Sequence, residues 1–193
     1  MNQKIEDQNR RMDCIIEWVK VCDSKTAILM SVVLLVPTFI IGTDWVLSRL
    51  GNIISLIIDA INCNGVGYCF SITNFLSLVL LSLTIVCTIF SFCLFISVLK
   101  AKTKENTYCD KGIKWDSLIH FNNISKIKTF KKYKEAVQME SDETYYEDLL
   151  SQTYINAKRC AEKFALYNRG LRWLCFAMTS MCLFVVVLFF IQV

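Results

Sequence analysis

The sequence predicts an all-α membrane protein with three transmembrane helices, an N-terminal amphipathic helix and a small helical cytosolic module. Two observations carry that prediction. Three apolar runs, Thr26–Leu47, Phe75–Leu99 and Leu171–Ile191, each exceed the roughly 20 residues a helix needs to cross a bilayer, and none has a Lys or Glu in its middle. Nearly every positive charge lies before or between these runs in a way that gives the chain a direction. The composition agrees: 54% of the 193 residues are hydrophobic and mean hydropathy is +0.44, above the roughly 45–50% apolar content of a soluble domain.

Residues 1–25 come first, as a cytosolic amphipathic helix. Ile5, Met12, Ile15, Ile16, Val19 and Cys22 recur at helical spacing, with Lys4, Asp7, Arg11, Glu17 and Lys20 between them. Such a helix either packs on the rest of the protein or lies on the inner leaflet. No Pro or Gly separates it from the first span, residues 26–47, so it runs straight in through Asp23-Ser24-Lys25. The apolar run begins only at residue 26 and is longer than the roughly 7–15-residue core of a signal peptide, so a retained anchor is expected. Pro37, the single proline, removes a backbone hydrogen bond and kinks this span. Asp44-Trp45 marks the outer interface.

The loop 48–74 carries an interfacial helix, with Leu50, Ile53, Ile54, Ile57, Ile58 and Ile61 on one face and Asn52, Ser55, Asp59 and Asn62 on the other. Gly65 and Gly67 then turn the chain toward the second span, residues 75–99. Ser77, Thr84, Thr88 and Ser91 form a hydroxyl row there, suited to close helix packing or to a polar pore wall. The cytosolic module, residues 100–170, opens with a weakly patterned stretch, 100–114. A helix over Lys126–Met139 follows, with Ser125 as its cap and a basic run of Lys126, Lys128, Lys131, Lys132 and Lys134. The last helix starts near Ser141-Asp142-Glu143 and runs unbroken into the third span, residues 171–191. Its row Tyr146, Leu150, Thr153, Ala157, Cys160, Phe164, Tyr167 and Leu171 alternates at four and three, the spacing of a tightly packed seam.

Charge sets the orientation. Lys4, Arg10, Arg11, Lys20 and Lys25 precede the first span, Arg49 alone follows it, and all the remaining basic residues lie in 100–172. The positive-inside rule places the N-terminus and residues 100–170 in the cytosol, with residues 48–74 and the C-terminus outward. The net charge of +4 does not argue for nucleic acid, because acidic residues are interspersed and many bases flank span ends, the ordinary pattern beside an anionic leaflet.

The ten cysteines include no CxxC pair, and His120 is the single histidine, so no metal site is expected. Most of the cysteines read as small apolar residues. Cys63 and Cys69 share the outward loop, where an oxidising compartment would let them close a disulfide. No catalytic residue is expected: HExxH, Walker, GxGxxG and GxSxG patterns are all missing, and no span has a central ionisable group for a proton relay. Two polar groups carry the remaining weight. Asp23 and Lys25 sit where the first span meets the cytosol, and Lys25 can snorkel to the headgroups. Gln152, Asn156, Arg159 and Lys163 form a stripe with amides for a base edge and cations for a phosphate; the alternative is a solvated face.

At these residues the chain resembles a known family. Asp23-Ser24-Lys25-Thr26-Ala27 fits an acidic–X–Lys–Ala/Thr–Ala element at the membrane interface. Ile119-His120-Phe121-Asn122-Asn123-Ile124 fits a leucine/isoleucine–X–phenylalanine element, with Asn122-Asn123 where the family usually has glycine-aspartate. Tyr146-Glu147-Asp148-Leu149-Leu150 through Lys158, then Lys163 and Tyr167-Asn168, fits a pre-membrane helix. Together these resemble the transmembrane effectors of bacterial Pycsar antiphage systems. The resemblance implies a defence effector in the bacterial inner membrane; no enzyme activity or cofactor is expected, and a homo-oligomer is expected because three helices are too few to enclose a pore and the 146–171 seam needs a partner. Its activating ligand would be cyclic CMP or cyclic UMP, made by a partner pyrimidine cyclase, and its action would fall on membrane lipid. Phe121 and the 152–163 stripe are the ligand-binding candidates. The competing readings are a membrane-anchored scaffold without ligand gating, and a defence effector responding to a cyclic oligonucleotide.

Overall fold

The computed structural model describes residues 1–61, 72–100, 112–114 and 116–190. Among them every regular element is a helix: α1 (Asn2–Ile41), α2 (Asp44–Ile61), α3 (Ile72–Leu99), α4 (Phe121–Lys126), α5 (Phe130–Met139) and α6 (Asp142–Phe190). The chain divides into two compact units. One comprises Met1–Ser24 with Leu99–Ala165, the other Lys25–Val98 with Leu166–Val193.

α1 is one helix of 40 residues, continuous from the polar N-terminal segment through Pro37. The carbonyl that Pro37 leaves without its usual donor is that of Val33. The Thr38 hydroxyl donates to the next carbonyl, Leu34, at 2.7 Å. The first apolar run does not stay helical to Leu47. α1 stops at Ile41, because Gly42-Thr43 breaks it and α2 starts at Asp44, whose carboxylate sits in the first turn where the helix dipole favours an anion. The Thr43 hydroxyl donates back to the Ile40 carbonyl at 2.9 Å.

The unit holding α2 and α3 turns several hydroxyls inward and many large apolar side chains outward. Ser77, Thr84 and Ser91 are buried, whereas Leu83, Ile85, Val86, Ile89 and Phe90 on the same helix are exposed. α6 repeats the pattern, with Ser180 buried and Phe176, Leu183, Val186 and Phe189 outside. Hydroxyls inside and large apolar side chains outside is the arrangement that a hydrocarbon solvent selects. Among the described residues, α3 and α6 are also the two helices long and apolar enough to cross a membrane.

Two polar cross-links hold α3 against α6. Ser91 Oγ donates to the Gly170 carbonyl at 3.0 Å, and Ser180 Oγ donates to the Leu80 carbonyl at 2.9 Å. The hydroxyl row therefore includes packing groups, and Thr84 and Thr88 spend their donors on carbonyls of their own helix. Val33, Phe95 and Leu174 form one buried cluster; Val46, Ile53, Met181, Phe184 and Leu188 form a second, which seats α2 on the C-terminal part of α6.

The other unit departs from the expected helix pattern. The expected single helix over Lys126–Met139 is two helices, α4 and α5, with residues 127–129 between them. Ile127 and Thr129 are β-branched and adopt extended backbone angles. Thr129, not Ser125, is the cap of α5: its hydroxyl accepts from the Lys132 N–H. Ser125 instead donates to the Asn122 carbonyl within α4. No residue of α4 or α5 is fully buried. At the start of α6, Ser141 Oγ accepts from the Thr144 N–H at 3.2 Å, and Asp142 and Glu143 occupy the first turn.

Candidate functional site

The first half of α6 organises its unit. The residues it buries are Asp148, Leu149, Ser151, Gln152 and Ile155. At 100° per residue these lie on the side roughly opposite Leu150, which is 41% exposed; Ala157 is exposed as well. The expected seam through Leu150 and Ala157 is thus turned outward at this end of the helix, and the polar stripe is turned inward. Gln152 retains 4% of its surface, and Asn156, Arg159 and Lys163 are partly buried. The stripe is not a solvated face.

What Lys163 meets there is Asp23. Its Nζ stands 2.6 Å from Oδ1 and 2.8 Å from Oδ2, so one ammonium serves both carboxylate oxygens. The two residues are 140 positions apart in sequence. Beside them Trp18 of α1 meets Phe164 of α6 edge-on, with centroids 6.2 Å apart. Cys22, next to Asp23, is fully buried. α1 contributes its apolar face here: Ile5, Met12, Ile15, Ile16 and Val19 are partly buried, and Lys4, Asp7, Arg11, Glu17 and Lys20 are exposed. Cys160 lies one turn before Lys163; burial pushes its thiol above the ordinary value, and the Lys163 charge partly opposes that.

The segment before α4 is strapped to α6 by side chains that sequence reasoning passed over. Asp148, with no exposed surface, accepts from the Leu118 N–H through Oδ2 at 3.0 Å, while its Oδ1 has no hydrogen-bond partner among the described residues. Ser151 Oγ accepts from the Lys114 N–H at 3.1 Å. Ser117 Oγ accepts from the N–H groups of Ile119 and His120, both at 3.1 Å, folding the turn that presents Phe121. Lys114 Nζ pairs with Glu140 at 3.2 Å. The available signal was Asp148's place one turn before Gln152, on the same side of α6.

Phe121 opens α4, 66% exposed, with its ring stacked on His120 at 4.9 Å between centroids. The strap thus brings Phe121 to the unit that carries the stripe, with Ser151 and Gln152 adjacent in sequence. Lys25 is exposed. Cys63 and Cys69, the glycine turn before α3 and the stretch 101–111 lie outside the described residues. Among the described residues no group of three or more His, Cys, Asp or Glu is arranged to hold a metal. The groups this unit brings together are the Lys163–Asp23 ion pair, the Arg159 guanidinium one turn away on α6, the amides of Gln152 and Asn156, and the exposed Phe121 ring.

Comparison with known proteins places this arrangement. The family model for the Pycsar effector protein domain matches residues 8–192. Among curated proteins, the chain is similar to the Pycsar effector protein GmPycTM of Gulbenkiania mobilis, 35% identical over 75 residues, which cover 39% of this chain. The match spans 38% of that relative's length. No solved structure matches.

Proposed function

The chain belongs to the Pycsar effector protein family, and on that premise we propose that it is an antiphage effector that senses cyclic CMP or cyclic UMP and then disrupts the inner membrane. The observation that carries this reading is the extent of the family match, which runs through the apolar helices and every residue of the polar stripe. In this reading residues 1–25 and 100–170 are cytosolic, and the apolar halves of α1, α3 and α6 are three spans. Asp23 and Lys25 stand at the inner interface. Three helices are too few to enclose a pore, so several copies act together.

The ligand's base stacks on Phe121 and meets the amides of Gln152 and Asn156, and its cyclic phosphate meets Arg159 and Lys163. α6 runs from Asp142 to Phe190 without a break, so a rotation imposed on the stripe continues along the same helix into its apolar half. Gating then requires the nucleotide to favour one helix arrangement over another.

A depolarisation assay on expressing cells tests the reading. Either cyclic pyrimidine nucleotide should depolarise the membrane, and Arg159→Glu should abolish nucleotide binding while leaving membrane insertion intact. Depolarisation that is indifferent to both nucleotides would overturn gating and favour an anchored scaffold; a response to a cyclic oligonucleotide alone would reassign the ligand.

A further inference from the structure

We infer that Asp23 is an internal competitor for the anion site, a carboxylate that occupies Lys163 at rest and must be displaced by the ligand's phosphate. The inference rests on the proposed nucleotide reading and adds a regulatory step to the same site. Three observations carry it.

Lys163 is the last cation of an inward row in which Arg159 precedes it by one turn. Two cations so placed suit a phosphate, whose negative oxygens accept charge-assisted hydrogen bonds in the way a carboxylate does. In the structure both oxygens of Asp23 already lie within 2.8 Å of Lys163 Nζ. Asp23 stands where a phosphodiester anion would have to stand.

The pair is also reachable. The side chains of Lys163 and Asp23 keep 22% and 37% of their surface, so a solute can approach them without unfolding the unit. A partly exposed pair of this kind is weak enough to exchange, because solvent screens it; such pairs are typically worth about 0.2–1 kcal/mol. A nucleotide brings base and sugar contacts as well as its phosphate, so it can win the exchange.

The consequence is mechanical. Asp23 is on α1 and Lys163 on α6, and the pair links these helices beside the Trp18–Phe164 ring contact. Exchange of partners releases α1 from α6 and leaves Asp23 beside the start of the apolar run at Thr26. The apparent nucleotide affinity is then reduced by the fraction of molecules in the paired state, and removing the pair removes that penalty.

The test uses the full chain in phosphatidylethanolamine/phosphatidylglycerol vesicles with an entrapped dye, titrated with cyclic CMP and with cyclic UMP. Asp23→Asn should lower the half-maximal nucleotide by about three- to fivefold, the factor that the upper part of the range for such a pair corresponds to. It should raise leakage without nucleotide as well. The charge swap Asp23→Lys with Lys163→Asp rebuilds the pair but removes the cation, so it should be quiet and unresponsive.

A readout independent of leakage is maleimide labelling of Cys22, followed by peptide mass spectrometry. Lys163→Gln should accelerate it, although loss of a positive charge by itself would slow a thiol. If the unaltered protein ignores both nucleotides while Lys163→Gln labels faster and the swap labels slowly, the pair stands as a clamp between α1 and α6, and the nucleotide reading falls together with the competition. If the protein responds but Asp23→Asn keeps the same half-maximal concentration, or Cys22 labelling is unchanged in Lys163→Gln, the competitor falls and the nucleotide reading survives.

Discussion

Gly170 is the position where one added methyl group should be most instructive. A Cβ built there would stand 2.7 Å from Cε1, 2.9 Å from Cδ1 and 3.3 Å from Cζ of Phe95. Carbon atoms pack best at about 3.5–4.0 Å, so Gly170→Ala drives a methyl about 1 Å into the ring. The ring has nowhere to withdraw. Phe95 has no exposed surface and is packed against Val33 and Leu174. The backbone is held too, because the Gly170 carbonyl accepts the Ser91 hydroxyl at 3.0 Å.

Overpacking of this kind costs about 1–3 kcal/mol. Against it stands the helix propensity of alanine over glycine, about 1 kcal/mol in a helix interior. The net expectation is a loss of about 0–2 kcal/mol, a range that alone decides little, so the coupling is what should be measured. In a Phe95→Leu background the shorter side chain no longer presents the far edge of the ring. Gly170→Ala should then turn stabilising by up to about 1 kcal/mol, and the double-mutant cycle should give a coupling of about 1–3 kcal/mol. Reversible unfolding in mixed detergent micelles, followed by circular dichroism, reads both quantities. A Gly170→Ala variant stabilised by the full propensity gain, with no coupling to Phe95, would refute the close approach of α3 and α6.

Two further outcomes are expected. Asp148→Ala should cost about 1–3 kcal/mol, because it strands the Leu118 N–H in a buried setting, whereas Asp148→Asn keeps an acceptor and should cost less; hydrogen exchange at the Leu118 amide should speed up in the first variant and not in the second. For Cys160, burial holds the thiol above its ordinary value, so the reactive thiolate is scarcer at a given pH. The pH at which alkylation reaches half its maximal rate should accordingly lie above that of an exposed thiol, and Lys163→Gln, which removes the opposing cation, should move it higher still. A midpoint that falls in Lys163→Gln would contradict the placement of that ammonium beside the thiol.

Much of the architecture is legible in local pattern. Hydropathy over about 20 residues is a property of the chain alone, and it marks α3 and the second half of α6 without any knowledge of neighbours. The continuity of α1 into its apolar half and of α6 over 49 residues follows from sparse helix-breaking punctuation, since α1 continues through Pro37 and Gly170 is tolerated inside α6. Boundaries were less legible. The breaks at Gly42-Thr43 and at Ile127–Thr129 depend on short side chains competing for backbone partners, a balance too fine for composition to resolve.

The candidate site divides along the same line. The residue types of Gln152, Asn156, Arg159 and Lys163, and their shared row on one helix, are written in the sequence, because 3.6-residue periodicity is local. Which way that row faces is not. By hydropathy alone the Leu150–Ala157 row belongs inside and the charged row outside. The fold reverses them at this end of α6, because Asp23, 140 residues away, supplies Lys163 with a carboxylate, and Asp148 and Ser151 supply acceptors for the strap before α4. A partly buried cation is favoured there only when an anion stands opposite it, and only the tertiary structure provides that partner.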